Sequence, residues 1–502
     1  MKKYTKFLIL IAIYLLCYYF IYFKVIFIHR EKDVYSVLNV CFYVILYLSA
    51  FLVIVSVILK SKYIANKTFW LIIIIANPLL GLILYYIFAR DYRFKILEKK
   101  KPLFFHNYFI KDDDISEEIE NDYNDIFKFS RNLSKRTVYK NNTKVTPLCN
   151  GENFFPLLKE KMINAKKNIY MEFYILKNDE LGKEFLDILK LKAMEGLKCY
   201  LVYDDVGSRK YISKKYMNSL KNAGVRIACF EPLKFSIFNN SVNFRNHRKI
   251  TVIDGNVGFI GGINLGNEYN HLSKKFGFWR DMHLCVEGYG VNALTTIFNK
   301  DWYYATNEEM PLEKNKTLIN NVSNFMIVES GPDYETCIIK DVYFKLIVSA
   351  KNSIKIASPY LAIEPELMQA IKIAVKSGVK VEILVPGKGD KFLFFQGTRS
   401  YYDELLYNKV KIYEYRNCFM HSKYLIVDDE ICSLGTVNFD FRSFNLNYEA
   451  TALFNGEEAK KMGKIFNEDI KISEEINYDT WKKRSVIKKI VQGIINLLSP
   501  LM

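Results

Sequence analysis

An eight-residue pattern occurs twice in this chain, and the repetition constrains the fold more than any other feature. The copies span residues 247–254 and 421–428, and both read His-x-Lys-x-x-x-x-Asp. Each copy lies in an apolar, strand-like segment and leads into a turn of small residues that contains an asparagine, Asn264 in the first and Asn438 in the second. Matching contexts around both copies predict a chain built from two similar halves.

The segments that precede the two copies also resemble each other. The sequence Ala-Lys-Lys-Asn-Ile before the strand-like segment 170–174 recurs as Ala-Lys-Asn-Ser-Ile before 355–360. From about residue 150, helix-like and strand-like segments alternate, which is typical of an α/β fold. We therefore expect two tandem α/β repeats, 149–328 and 329–480, that form one bilobal catalytic body.

The residue types of the repeated pattern suit the cleavage of a phosphodiester. Residues two apart in a strand share a face, so each histidine projects together with the lysine of its own copy. A neutral imidazole can attack phosphorus while a protonated one releases the leaving alcohol. The lysines would neutralise the non-bridging oxygens, and the two turn asparagines would donate hydrogen bonds to them. The side chains predicted to act are His247, Lys249, His421, Lys423, Asn264 and Asn438.

Further carboxylates belong to this prediction. A catalytic histidine usually needs a hydrogen-bonded partner on its second ring nitrogen. Asp281 and Glu449 lie at similar distances downstream of the two histidines and are the candidates, with a surface position as the alternative. Asp254 and Asp428 stand at an odd offset from the histidines, so we expect them to face away and brace the motif loops. The spacings suggest no metal site, and no cofactor is predicted.

At these residues the chain resembles the phospholipase D superfamily, whose paired catalytic motif is matched in full, Asp254 and Asp428 included. Within that superfamily the chain is most similar to bacterial cardiolipin synthases, and the likeness covers almost its whole length. The narrower likeness is carried by the sequences NPLLG at 77–81, WRD at 279–281, SGPD at 330–333 and LLSPL at 497–501.

The resemblance implies a phosphatidyltransferase. One phosphatidylglycerol would donate its phosphatidyl group to a histidine and release glycerol, and a second would then attack to give cardiolipin. By analogy with the superfamily, His247 is assigned as the nucleophile and His421 as acid and then base, while the reverse assignment stays open. The alternatives are a membrane-anchored hydrolase or nuclease of the same superfamily. A non-catalytic scaffold is disfavoured because both motifs are intact.

The first ninety residues contain three long apolar runs, at 7–28, 37–59 and 69–88. A helix needs roughly 20 apolar residues to span a bilayer, so each run is long enough. Residues 1–90 are therefore predicted to form a transmembrane region of two or three helices. A cleaved signal peptide for the first run, and a soluble helical hairpin for all three, are the alternatives.

Charge indicates the partner and the orientation. The formal net charge of +17 favours an anionic partner, and the apolar runs favour anionic membrane lipids, so no nucleic acid is expected. The basic stretch 90–101 places the catalytic body in the cytoplasm of a multi-pass cell-membrane protein. A polar linker is expected at 91–148. Residues 481–502 predict an amphipathic helix at the membrane surface, with packing onto the catalytic body as the alternative.

The nine cysteines are scattered without a Cys-x-x-Cys pair or a Cys/His cluster. An odd number without a regular framework argues against a disulfide scaffold and against structural zinc. This distribution favours a reducing compartment, in agreement with a cytoplasmic catalytic body.

Overall fold

The computed structural model describes residues 34–60, 64–88, 124–233, 243–310, 315, 317, 319, 323–334, 336–416 and 418–497. The chain divides into two compact units, 1–89 and 90–502. The first apolar run, the basic stretch 90–101 and most of the predicted linker lie outside the described residues.

The described part of the first unit consists of three apolar helices, α1 (Val34–Lys60), α2 (Ile64–Ala76) and α3 (Pro78–Phe88). Residues Asn39–Leu59 of α1 form a 21-residue apolar stretch. At 1.5 Å per residue this stretch is about 30 Å long, which matches the hydrocarbon core of a bilayer. In the described residues it is the one helix long and apolar enough to cross a membrane.

The third apolar run differs from the expected single span, because α2 and α3 fold back on each other. Pro78 cannot donate a backbone hydrogen bond, and the side chain of Asn77 accepts one from the backbone N–H of Leu80 at 3.1 Å, as an N-cap does. A Cβ atom on Gly81 would lie 2.6 Å from the Cα of Ile74, so only glycine permits this close approach. The run is therefore a helical hairpin.

The described part of the second unit begins with α4 and β1 and continues with the first repeat. Its helices and strands are α4 (Asn124–Ser134), β1 (Tyr139–Lys140), β2 (Thr143–Cys149), α5 (Asn150–Ile163), β3 (Asn168–Phe173), α6 (Glu180–Met194), β4 (Lys198–Asp204), α7 (Asp205–Ser208), α8 (Lys214–Asn222), β5 (Arg226–Phe230), β6 (Arg245–Asn246), β7 (Lys249–Ile253), β8 (Val257–Gly261), β9 (Trp279–Arg280), β10 (Met282–Gly288) and α9 (Val291–Thr306).

The second repeat has a similar order of elements, with helix α14 in place of strand β9, and C-terminal helices follow it. Its elements are β11 (Asn324–Ser330), α10 (Ile338–Ser349), β12 (Ser353–Ala357), α11 (Pro365–Lys376), β13 (Lys380–Pro386), α12 (Phe392–Ser400), α13 (Tyr402–Tyr407), β14 (Lys411–Tyr415), β15 (Phe419–Met420), β16 (Tyr424–Val427), β17 (Ile431–Gly435), α14 (Phe441–Asn445), β18 (Asn447–Asn455), α15 (Glu457–Lys471), β19 (Ser473–Glu475), α16 (Tyr478–Lys482) and α17 (Val486–Leu497).

The two repeats build matching mixed sheets. The first sheet has the strand order β2-β10-β8-β7-β3-β4-β5, and the second contains the corresponding order β11-β18-β17-β16-β12-β13-β14. In each sheet the strands before the motif run parallel, and the motif strand returns antiparallel beside the first of them. Both faces of each sheet are apolar, because one face packs on helices of its own half and the other faces the core that the two halves share. The predicted α/β fold with two repeats is thus confirmed.

Two very short strands connect the halves. Strand β6, directly before His247, pairs in parallel with β18 of the second half, and β15, directly before His421, pairs in parallel with β9 of the first half. One hydrophobic core also joins the halves, since it contains Val252 and Leu284 of the first sheet together with Ile426 of the second. The repeats therefore form a single body with the motifs at their shared boundary.

Candidate active site

The position of each motif histidine follows from the pairing of the short strands. Tyr448 lies opposite Asn246 in the β6–β18 pair, so Glu449 comes opposite His247 one residue later. The backbone N–H of His247 donates to the carbonyl of Tyr448 at 3.0 Å, which extends the ladder. Each half thereby places its own histidine against a carboxylate of the other half.

The second histidine is placed in the same way. Arg280 lies opposite Met420 in the β9–β15 pair, and the backbone N–H of His421 donates to the carbonyl of Arg280 at 2.7 Å. Asp281 therefore stands opposite His421. A two-oxygen contact between the guanidinium of Arg280 and Asp469 of α15, with Nη2 to Oδ2 at 2.8 Å, holds β9 in place.

Both histidine–carboxylate pairs cross the boundary between the halves. Nδ1 of His247 lies 2.9 Å and 3.1 Å from the carboxylate oxygens of Glu449, and Nδ1 of His421 lies 2.8 Å from Oδ2 of Asp281. A carboxylate at Nδ1 holds the proton there and leaves Nε2 as the free, basic nitrogen. The two carboxylates named from the sequence thus reach the histidines, each in the opposite half.

Other polar groups fix these carboxylates. Glu449 accepts hydrogen bonds from the hydroxyl of Thr436 and from the side-chain amide of Asn447. Burial alone would raise the pKa of Glu449, but the charge that His247 carries when protonated and its hydrogen bond outweigh burial, so the pKa is lowered. Glu449 is therefore ionised when the pair is assembled.

Asp281 is held in an equivalent way in the other half. It accepts from the indole N–H of Trp279 at 3.2 Å and from the backbone N–H of Met282 at 2.8 Å. Its pKa is also lowered, because the charges of His421 and Lys423 outweigh burial. A Cβ atom on Gly262 would lie 2.1 Å from Oδ1 of Asp281, so the glycine makes room for this carboxylate.

Both imidazoles are neutral near pH 7 in this structure. Burial lowers the pKa of His247 to about 4 and that of His421 to about 3, although the partner carboxylates act in the opposite direction. A phosphate anion bound beside them would add negative charge and raise both pKa values. The resting site is thus ready for nucleophilic attack, and substrate binding favours the protonated form that an acid needs.

The motif lysines lie beside the histidines at the base of the site. The Nζ atoms of Lys249 and Lys423 each donate to the backbone carbonyl of the histidine two residues earlier, both at 2.5 Å. Burial lowers the pKa of Lys249 to about 7 and that of Lys423 to about 8, and the charge of Lys423 lowers the value for Lys249 further. Two buried ammonium groups that repel each other form an environment that an anion would stabilise.

The turn asparagines differ from each other. Asn264 accepts from the backbone N–H of Ile175 at 2.9 Å and donates to the hydroxyl of Tyr269 at 3.1 Å, so its amide braces the site and keeps one N–H for a ligand. The buried Oδ1 of Asn438 has no hydrogen-bond partner among the described atoms. The side chain of Asn438 also hydrogen-bonds to Asp440, and the phosphate contacts of both asparagines stay predictions.

The motif aspartates brace the loops, as the offset from the histidines suggests. The carboxylate of Asp254 accepts from the backbone N–H groups of residues 166, 167 and 168, and Asp428 does the same for 351, 352 and 353. Both aspartates directly follow the motif strand, at the end opposite to its histidine. Their place in the structure is thus that of supporting residues, away from the imidazoles.

An aromatic residue that the sequence did not single out completes the wall beside His247. The ring of Tyr174 lies edge-on to the imidazole at 4.9 Å between centroids, and Nζ of Lys249 lies 5.4 Å from the same ring. Burial raises the pKa of Tyr174 to about 12, so its hydroxyl is neutral. A tyrosine that directly follows a buried strand is the signal that could have indicated it.

A buried charge cluster supports the first motif from behind. Arg248, between the histidine and the lysine, is fully buried and forms ion pairs with Asp301 at 2.5 Å and with Glu329 at 3.2 Å. Its Nε also donates to the carbonyl of Glu449 at 3.2 Å. The same arginine thus contacts both halves.

In the part of the chain that the structure describes, no group of three His, Cys, Asp or Glu side chains is arranged as metal ligands.

Comparison with protein families agrees with this geometry. The family model described as cardiolipin synthase, PLD-like domain, matches residues 158–302 and 343–470, which cover both motifs. A second model, phospholipase D-nuclease N-terminal, matches residues 45–90. The chain belongs to the phospholipase D-type cardiolipin synthase family. It is therefore an enzyme of the phosphatidyltransferase type.

Similar proteins match over nearly their full length. The chain is 38% identical over 465 residues to cardiolipin synthase 2 of Bacillus anthracis, with 90% of each chain covered. It is 39% identical over 455 residues to the cardiolipin synthase of Geobacillus sp. WCH70, covering 88% of this chain and 90% of the other. Phosphatidylserine synthase of Haemophilus influenzae has a similar fold, with a TM-score of 0.57 and 16% identity over 75% of this chain and 98% of that one.

Proposed function

We propose that this family member is a cardiolipin synthase that transfers a phosphatidyl group from one phosphatidylglycerol to another. The observation that carries the proposal is the pair of crossed histidine–carboxylate contacts, because they present two free Nε2 atoms beside two buried ammonium groups. In this reading, 149–328 and 329–480 act as one catalytic body, since each half completes the other's histidine. Relatives that are 38% and 39% identical are named cardiolipin synthases.

In the first step, neutral Nε2 of His247 attacks the phosphorus of phosphatidylglycerol. The bond from phosphorus to the glycerol oxygen breaks, and protonated His421 gives its proton to that oxygen, so glycerol leaves. Lys249 and Lys423 balance the charge that builds on the non-bridging oxygens. Glu449 stabilises the positive charge that develops on the His247 imidazole.

In the second step, His421 is neutral and takes the proton from a terminal glycerol hydroxyl of the second phosphatidylglycerol. The oxygen attacks phosphorus, the bond to Nε2 of His247 breaks, and cardiolipin forms with both histidines restored. Water in place of the hydroxyl would give phosphatidic acid by the same route. Our proposal of transfer therefore requires that the acceptor lipid reaches the site ahead of water.

Product analysis tests the proposal directly. The purified full chain, reconstituted in vesicles that contain phosphatidylglycerol, should consume two phosphatidylglycerols for each cardiolipin and glycerol formed. Phosphatidic acid as the main product would indicate a hydrolase, and cleavage of a DNA substrate with no lipid product would indicate a nuclease. Expression in a cardiolipin-deficient host, followed by lipid analysis, checks the activity in cells.

We also propose a multi-pass location in the cell membrane, with the catalytic body in the cytoplasm. Support comes from the apolar stretch Asn39–Leu59 and from the basic sequence at 90–101. A cysteine at the exposed position Leu191 would report the orientation in a background without Cys17, Cys41, Cys149 and Cys229, because the five native cysteines that remain are buried. An impermeant thiol reagent should label it only after lysis, and labelling of intact cells would reverse this orientation.

A further inference from the structure

One face of the catalytic body exposes apolar side chains on two neighbouring helices. In α12, Phe392 is 66% exposed and Leu393 is 50% exposed. In α17, a row at helical spacing is exposed to a similar extent. The row consists of Val486, Ile487, Ile490, Ile494 and Leu497. We call these seven side chains the α12–α17 face.

Polar contacts attach α17 to the body and turn its apolar side outward. The side-chain amide of Gln492 contacts that of Gln396 at 3.2 Å, and Asn496 donates to the hydroxyl of Ser400 at 2.8 Å. Of the described apolar residues of α17, Ile495 is the one that is buried. A surface helix of a soluble domain has the opposite arrangement, with its apolar stripe inward. An apolar patch of this kind marks an interaction surface.

The charge around this face indicates the partner. Residues 482–497 contain five basic residues and no acidic one, and Lys488 and Lys489 are exposed between the apolar residues of α17. Beside α12, Lys388 and Lys391 are exposed as well. Apolar side chains surrounded by lysines match a bilayer surface with anionic headgroups, where each basic residue adds attraction.

The face adjoins the His421 side of the active site. Strand β13 runs parallel to β12, and α12 begins six residues after β13 ends, at the edge of the sheet where the motif strand β16 starts. Aromatic rings connect the two places: Phe394 to Tyr360 at 5.2 Å, Tyr360 to Phe419 at 6.3 Å, and Phe419 to His421 at 5.7 Å.

A loop of the first half also contacts this series of aromatic rings, and it too exposes apolar and basic side chains. In the segment 271–278, Leu272 is 54% exposed and Phe278 is 41% exposed, while Lys274 and Lys275 are exposed between them. Phe276 of this loop contacts Phe419 at 6.2 Å between centroids. Exposed apolar and basic residues therefore flank the His421 side from both halves.

We propose that the α12–α17 face docks on an anionic lipid bilayer and brings the His421 side of the active site to the phospholipid headgroups. Docking is inferred only from the exposure, charge and position of the residues of this face, whereas the delivery of substrate to His421 rests on the proposed function. The face then provides the surface contact through which phospholipid enters the site.

A depth measurement tests docking without any turnover. In the full chain, with Cys17, Cys41, Cys149 and Cys229 replaced by serine so that the native cysteines that remain are buried, a fluorophore is attached to cysteine at Phe392→Cys, Ile490→Cys or, as the control, Leu191→Cys. Leu191 is 57% exposed and lies near the end of α6, shortly before β4 of the first half begins. In vesicles with phosphatidylglycerol, lipids brominated on their acyl chains should quench the first two fluorophores and leave the third unchanged.

Composition and salt extend this test. Quenching at Phe392→Cys and Ile490→Cys should fall in pure phosphatidylcholine vesicles and in 1 M salt, because both remove the attraction of the lysines. No quenching at either site would overturn the proposal. The two fluorophores could instead be shielded from solvent to an extent that depends on protein concentration and not on brominated lipid. That result would show that a second copy of the chain covers the face, and it would equally overturn the proposal.

Turnover links the face to the active site. The pairs Phe392→Ser with Leu393→Ser, and Ile490→Ser with Ile494→Ser, should each lower turnover of phosphatidylglycerol dispersed in phosphatidylcholine vesicles by about tenfold. Turnover of monomeric dihexanoyl phosphatidylglycerol should stay unchanged, because it reaches the site from water. The matched control is the pair Leu191→Ser with Met194→Ser on α6, because these two apolar side chains are exposed to a similar extent in the wild type.

The outcomes separate the two proposals. Equal losses on vesicles and on monomers would show that the face supports folding and not docking, and would overturn the inference. If the wild-type chain converts neither substrate while the fluorophores are still quenched, the proposed reaction fails and the docking surface stands.

Discussion

Nδ1 of His247 lies 2.9 Å from Oε1 of Glu449, although 202 residues separate them in the chain. The parallel pairing of β6 with β18 sets this distance, and the equivalent pairing of β15 with β9 sets the contact between His421 and Asp281. Each histidine therefore becomes functional only when the opposite half is folded against it. Neither half alone contains a complete site.

The first prediction concerns this crossed carboxylate. Glu449→Gln should lower kcat by about 10³- to 10⁴-fold, as loss of the buried aspartate does in a serine-protease triad, because the imidazole loses its orienting charge. The exposed Glu475→Gln is the control and should leave kcat unchanged. Steady-state rates of cardiolipin formation measure both. Comparable rates for the two variants would contradict the orienting role of Glu449.

The pH profile of the same variant has a defined sign. Glu449 raises the pKa of His247 against the larger effect of burial, which lowers it to about 4. Removing that charge should lower the pKa further, so the acidic limb of kcat/KM should move to lower pH. A shift to higher pH would show that His247 does not act as the neutral nucleophile.

The second prediction is that the two histidines act as one unit. His247→Ala and His421→Ala should each abolish transfer while the chain still inserts into membranes. The double variant should be little worse than either single one, because groups that act in one sequence of steps are not additive. Substantial turnover by either single variant would contradict the two-histidine mechanism.

Trapping identifies which histidine is the nucleophile. Brief reaction with labelled phosphatidylglycerol, followed by acid-free denaturation and peptide mapping, should place the phosphatidyl label on the peptide with His247. Glu449 and Asp281 prepare both imidazoles alike, so the geometry alone permits either assignment. Label confined to the peptide with His421 would reverse the roles, and loss of label with inhibition by EDTA would indicate metal-assisted chemistry.

The sequence predicted the two halves from the repeated pattern, and it also predicted which side chains of each motif share a face. His247 and Lys249 share a face through the period of a strand, which is a local property, whereas the backbone that Asp254 braces at residues 166–168 is distant in sequence. The pairing of Asp281 with His421 depends on contact between short strands from different halves. Strands of two residues carry no periodic signal, so their pairing emerges only from the assembled fold.

The apolar N-terminal region shows a similar limit. Composition identified α1 as long enough to cross a bilayer, and the structure agrees. Composition also allowed one span at 69–88, where Asn77 caps α3 and Gly81 permits α2 to pack closely. Whether a glycine allows two helices to pack closely depends on which helices meet, and the apolar content of the sequence does not predict that.

The next prediction concerns the buried charges behind the first motif. Arg248→Met should destabilise the body by about 3–5 kcal/mol, because Asp301 would remain buried without its ion-pair partner, whereas Glu329 keeps Arg136 and Lys300. Lys471→Ala, which removes an exposed pair with Glu468, should cost less than about 1 kcal/mol. Thermal unfolding in detergent measures both. Equal shifts in Tm would mean that the buried cluster adds nothing beyond a surface pair.

The last prediction uses His283, which is fully buried, stacks on Phe154 at 4.1 Å and has a buried Nδ1 with no hydrogen-bond partner among the described atoms. Burial lowers its pKa to about 3, whereas the unfolded chain titrates near 6.5. Between these values the unfolded state binds the extra proton, so stability falls as the pH falls through 6.5 toward 3.

At pH 5 this histidine alone should cost about 2 kcal/mol relative to pH 7, from 1.36 kcal/mol per pH unit below 6.5. The volume-matched variant His283→Met should remove that part of the dependence, while the contributions of His247 and His421 remain. Unfolding curves at pH 7 and pH 5 for both proteins measure the difference. If the variant loses as much stability at pH 5 as the wild type, His283 is not held neutral by its burial, and the acid sensitivity of the body arises elsewhere.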